Sequence, residues 1–372
     1  MELLPFAPPL CALRRGTAGA LWALVMCGSL GCVAKSIRPY EPCAPCGNRA
    51  APVGLLPELA AWHEGGHYLC HNGRRIFYRR EGRGETLLAL HGFPTASYDF
   101  HAIWPSLTSR FEVIAPDLLG CGFSAKPTDH DYSVMEQADI VEALLDLHGV
   151  KQVHILAHDL GDTLAQELLA RDRERPGPPR IQSCVFANGG LFLEAQKLTL
   201  SHYLLGCPLG DLAEPYVCEP VYRHNMRRLL SPGPAGDAVD LGPLWQLLNY
   251  DDGRFTMHEV IQYLHERDVH ADRWTRALQA SNAPLALIYG PEDPVSGESI
   301  AQRFAQCVPQ GRRYPLPGLG HYPQLEDPQR FAARFQQFHD AIGTPRTTSR
   351  AVRPSIRRAP AGRSGNVPLP AF

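Results

Sequence analysis

A chain of 372 residues exceeds an ordinary single domain, yet its length suits one α/β core of roughly 250 to 300 residues with an inserted lid and tails. An apolar fraction of 44% and a charged fraction of 20% supply a sizeable buried core and exclude bulk disorder. A formal charge of -2 excludes a long-range field favouring nucleic acid.

In chain order, the run 16–34 carries no charge and lies between Arg15 and Lys35, close to the length of a membrane span but diluted by Gly16, Gly19, Gly28 and Gly31. A membrane anchor is the favoured expectation, with a cleaved signal or a misplaced gene start as alternatives. Basic residues flank both ends, so orientation stays undetermined. Five of the eleven cysteines precede residue 50, and Cys43 and Cys46 form a single C-x-x-C without the second pair that zinc needs, so no metal is expected. Cys70, Cys121, Cys184, Cys207, Cys218 and Cys307 are expected as buried or half-buried free thiols.

Short apolar runs then alternate with amphipathic stretches, the pattern of a mostly parallel sheet flanked by helices. Strands are expected over 75–78, 86–90, 112–115, 152–156, 181–186, 285–289 and 312–315, and helices over 133–147 and 163–169. From 191 to 277 the alternation stops and the composition turns helical, which predicts a helical cap inserted between two core segments, 65–190 and 278–343. Residues 1–60 are read as an N-terminal hydrophobic or flexible segment. Residues 345–372 hold six arginines and no acid, so a disordered basic tail is expected.

The chemistry-bearing stretch is Ile155-Leu156-Ala157-His158-Asp159-Leu160-Gly161-Asp162, an apolar strand turning into a helix through small residues on either side of Asp159. Such an elbow lifts its central side chain, and the helix N-terminus favours an ionised carboxylate there. An ordinary N-cap aspartate would look the same in isolation. What distinguishes the two is the arrival of partners: Asp293 directly after the strand 285–289, and His321 in the loop Gly318-Leu319-Gly320-His321 after the last strand. His91-Gly92-Phe93-Pro94 follows the strand 86–90, so the amides of Phe93 and Leu160 are the expected oxyanion donors. His91 and His158 are given structural roles only, as is the glycine loop 117–124.

These motifs, H-G-F-P, D-x-x-G-x-G-x-S, H-D-x-G and the late G-H, resemble the epoxide hydrolase and haloalkane dehalogenase branch of the α/β-hydrolases over residues 65–342. The segments 92–99, 158–169 and 321–328, with Ile261-Gln262-Tyr263-Leu264 and Arg273-Trp274 in the cap, resemble the mesoderm-specific transcript hydrolases. The resemblance implies an α/β-hydrolase fold with an inserted cap. It also implies an Asp nucleophile forming a covalent ester, water activated by His321 and Asp293, no cofactor, a small apolar or lipid-like substrate, and residence at the endoplasmic reticulum membrane. Secretion or a soluble form after signal removal is the alternative location. Dehalogenases usually carry Trp after the nucleophile, where this chain has Leu160, so an epoxide-hydrolase-like reaction is expected instead. Cap tyrosines protonate the opening ring in epoxide hydrolases; Tyr203, Tyr216, Tyr222, Tyr250 and Tyr263 are available, and Tyr263 leads because its surroundings match best. The competing expectation is a non-catalytic, membrane-tethered binding or signalling protein, because a fold alone does not dictate chemistry.

Overall fold

Strands whose residues are apolar in succession, rather than in alternation, need cover on both faces, and that requirement organises the molecule. The computed structural model describes residues 51–343 apart from 129 and 176. Eight strands form one sheet: β1 (Gly66–His71), β2 (Arg74–Gly82), β3 (Thr86–Leu90), β4 (Glu112–Pro116), β5 (Gln152–His158), β6 (Arg180–Ala187), β7 (Leu285–Tyr289) and β8 (Arg312–Pro315). Their spatial order is β1-β2-β4-β3-β5-β6-β7-β8, with β1 and β2 antiparallel to their neighbours and every later pair parallel. Every residue of β7 is buried, as are all residues of β5 after Gln152. Helices Val134–Leu147 and Leu160–Glu174 turn apolar faces to this sheet, the first capped by Ser133, which accepts from the Glu136 amide at 3.2 Å.

Three expectations need correction. Strand β1 is absent from the sequence reading because Gly-His-Tyr-Leu-Cys-His lacks an apolar run; it is an edge strand, half exposed, and Cys70 on it is exposed rather than buried. Strand β2 extends well beyond 75–78, since its arginines are accommodated: Arg79 lies 4.5 Å from the Trp62 ring centroid and Arg80 pairs with Glu112 at 2.5 Å. The fold also begins before residue 60, in helix Pro57–Glu64, which buries Leu59 and Trp62. The proposed anchor 16–34 and the basic tail 345–372 lie outside the described residues. Among the described residues no helix is long and apolar enough to cross a membrane.

After β6 the chain leaves the sheet through helices Leu200–Gly206, Glu219–Leu229, Gly242–Asn249, Tyr263–Val269 and Ala271–Gln279, then returns as β7 directly beside β6. This excursion, called the lid below, is stapled to the core by buried Glu167. Its carboxylate accepts from Trp274 Nε1 at 2.9 Å, Arg273 Nε at 3.0 Å and Arg171 Nε at 2.8 Å.

Candidate active site

Strand order reverses around β3 and β5, so the loops leaving their C-terminal ends diverge and open a crevice there. Asp159 follows β5 with φ 52° and ψ −111°, a conformation a non-glycine residue adopts only when its surroundings enforce it. Its side chain makes no helix-capping hydrogen bond, which separates it from an ordinary N-cap aspartate. The turn closes tightly because residue 161 is glycine: a Cβ there would fall 2.3 Å from the carbonyl oxygen of Leu90.

Phe93 follows β3, and its amide donates to Asp159 Oδ1 at 2.8 Å. His91 sets that loop: the Leu118 amide donates to His91 Nε2 at 2.9 Å, leaving Nδ1–H to donate to the Gly92 carbonyl at 2.8 Å. Leu160 opens the helix; among the described residues its amide makes no hydrogen bond to the carboxylate.

His321 Nε2 lies 3.5 Å from Asp159 Oδ2, and its Nδ1 donates to Asp293 Oδ2 at 2.8 Å. Asp159, Asp293 and His321 are all buried. Burial works to raise the pKa of Asp159, but the hydrogen bond and charge of His321 and the Phe93 amide outweigh it and hold the carboxyl well below its ordinary range. For His321, burial works to lower the pKa, but Asp293 and Asp159 carry it up to about 10. The two flanking carboxylates therefore favour the protonated form of the imidazole between them.

Four supporting residues carry no local signature in the sequence. Asn188, after β6, donates to Asp293 Oδ2 at 2.8 Å, and Ser296 donates to the same oxygen at 2.6 Å. Glu326 accepts from the amides of Gly320 at 2.9 Å, Tyr322 at 3.1 Å and the lid's Ser231 at 2.9 Å. The His321 amide donates to the carbonyl of Leu229, also in the lid, at 2.9 Å. His158 Nε2 donates to the His321 carbonyl at 2.8 Å; burial and the charge of His321 push its pKa down to about 4, so it acts as a neutral strut. Beneath it Asp99 is fully buried, takes a hydrogen bond from Thr95, and is pushed well above the carboxylate range by burial.

Of the lid tyrosines, Tyr216 is exposed, and Tyr250 stands edge-on to Phe123 with centroids 5.1 Å apart. Tyr222 is buried with no partner for its hydroxyl. Tyr263 is buried too; burial and the charge of Asp159 raise its pKa, and Arg267 opposes that rise.

A crevice at the switch point, an aspartate on a strained strand-to-helix turn, and an acid and histidine from the last two strands define the class: the chain belongs to the α/β-hydrolase family. The model of the alpha/beta hydrolase fold matches residues 85–206. The chain is 36% identical over 299 residues to the mesoderm-specific transcript protein of Mus musculus, covering 77% of this chain and 89% of that protein. It is 37% identical over 278 residues to the LipZ protein of Mycobacterium tuberculosis, covering 74% of this chain and 96% of that protein. Among solved structures, the epoxide hydrolase CorEH superposes with a TM-score of 0.61 at 20% identity over 74% of this chain and 99% of that one, a likeness of fold.

Proposed function

We propose that this protein hydrolyses an epoxide on a small apolar or lipid-like substrate in two covalent steps, with the Asp159 carboxylate as nucleophile. The observation that carries the reading is the division of labour between its oxygens: Oδ1 is held by the Phe93 amide, while Oδ2 faces His321. Oδ2 attacks a ring carbon, the C–O bond breaks, and the ring oxygen takes a proton from the Tyr263 hydroxyl, leaving an alkyl ester of Asp159. Oδ1, now the ester carbonyl oxygen, is already hydrogen-bonded by Phe93, with Leu160 as second donor when negative charge develops.

Ester formation removes the Asp159 charge that helps hold the proton on His321, so the imidazole loses its proton more readily and becomes a base. His321 then takes a proton from water, and the hydroxide adds to the ester carbonyl. Collapse of the tetrahedral species expels the diol alkoxide, which takes the proton from His321, and the carboxyl proton left on Asp159 passes to solvent while the Tyr263 phenolate regains its own, so that both groups return to their starting state. Asp293, held by Asn188 and Ser296, fixes the imidazole tautomer throughout.

The test is mass spectrometry of a His321→Gln variant incubated with a panel of alkyl epoxides. A covalent adduct of the full substrate mass on Asp159 is expected, with diol released by the wild type. Inertness of both proteins across the panel would overturn the reading in favour of a binding protein.

A further inference from the structure

Tyr263 and Arg267 stand one turn apart on helix Tyr263–Val269, so both project from the same face, and both are 3% exposed. Arg267 Nη1 donates to Gln196 Oε1, Nη2 has no hydrogen-bond partner, and among the described residues no carboxylate forms an ion pair with the guanidinium. A desolvated guanidinium without a counter-ion is unfavourable, and such a group persists in a fold when a ligand supplies the missing partner.

Glycine at residue 190 leaves room for the guanidinium: a Cβ there would lie 2.1 Å from Nη1 and 2.5 Å from Nη2. The adjoining Gly189 stands equally close to Asp162, whose amide donates to the Asp159 carbonyl at 3.0 Å. The guanidinium thus lies across the end of β6 from the first turn of the nucleophile's helix, in the field of Tyr263, Asp159 and Asp162. It also lines a cavity of about 20 Å³ with Leu191, Phe192, Glu194 and Trp274. Glu194 pairs with Arg303 at 2.7 Å and acts on Arg267 through its charge alone, without an ion pair between them. From the neighbouring lid helix, the Thr199 amide donates to His202 Nδ1 at 3.1 Å, which puts the imidazole proton on Nε2 as a further donor near Asp159 and Arg267.

We propose that Arg267 recognises an anionic group of the substrate, and that the substrate is an amphiphile carrying a carboxylate as well as the reactive ring: an epoxy acid rather than a neutral epoxide. The carboxylate would sit on Nη2, remote from the reacting carbon, and supply binding energy that orients the ring over Asp159. This rests on the epoxide-opening reading of Asp159.

The experiment compares an epoxy fatty acid with its methyl ester in wild type, Arg267→Gln and Arg267→Lys. Wild type is expected to favour the acid by about tenfold or more in kcat/KM, mainly through KM, as one charge-assisted hydrogen bond warrants. Arg267→Gln is expected to erase that preference by weakening the acid alone, and Arg267→Lys to restore part of it. Equal use of acid and ester by the wild type, or a preference that survives in Arg267→Gln, would overturn the proposal. The His321→Gln background separates the two readings: adducts on Asp159 forming equally from acid and ester retain the nucleophile and discard Arg267, whereas no adduct from either discards both.

Discussion

The core and the lid are assembled by different means. In the core each group of the site leaves the C-terminal end of a strand: Phe93 after β3, Asp159 after β5, Asn188 after β6, Asp293 after β7 and His321 after β8. Backbone register therefore sets their spacing. The lid is fastened instead through side chains and single backbone bonds, at Glu167 with Trp274 and Arg273, and at the junction of Leu229 and Ser231 with the histidine loop. The contrast teaches that backbone register sets the row of Asp159, His321 and Asp293, while the lid is tied to that row through the histidine loop.

The largest effect should come from breaking the core. Asp159→Asn is expected to lower turnover by about 10⁴-fold, and His321→Gln by about 10³-fold with accumulation of adduct, both read by single-turnover kinetics. Next is pH. Asp159 stays ionised far into acid, so adduct formation should be flat across the neutral range, whereas adduct hydrolysis should slow as pH falls and His321 takes up its proton. The same group affects stability: its folded pKa of about 10 lies above the unfolded value, so its contribution is complete below the ordinary histidine range and lost as pH rises through about 10. Wild type minus His321→Gln, measured by urea denaturation across that window, should show the loss.

At the junction of the two regions, Glu326→Gln replaces a carboxylate that accepts from three amides. We expect hydrolysis of the adduct to slow by about ten- to a hundredfold while its formation changes by less than about threefold, since displacing the imidazole by a fraction of an ångström harms the second step alone. Equal slowing of both steps would make Glu326 a general fold determinant. In the lid staple, Glu167→Gln should destabilise by about 2–3 kcal/mol, because Arg273 and buried Arg171 each lose one counter-charge, Arg171 keeping Asp139 and Glu142. The smallest effect belongs to the lid surface: Leu209, 66% exposed, should tolerate serine within about 0.5 kcal/mol.

The central strands were legible because parallel strands buried on both faces leave continuous apolar runs, and the helical lid because that rhythm stops at β6 and resumes at β7. The edge strand β1 and the arginine-bearing half of β2 were not, since their stability comes from pairing and from partners such as Trp62 and Glu112 far along the chain. Asp159, Asp293, His321 and Phe93 stood out by motif and order. Asn188, Ser296, Glu326 and Asp99 did not, because each acts on groups contributed by other loops.

The chain's own order of residues therefore determined the layered architecture and which side chains end its strands, as periodicity and turn chemistry are local properties. Only the folded molecule decided that the carboxylate of Asp159 meets one amide and one imidazole, that the lid grips the histidine loop, and that Arg267 is buried with no ion pair among the described residues. Those are relations between distant segments, and burial and electrostatic environment have no value until the segments are brought together.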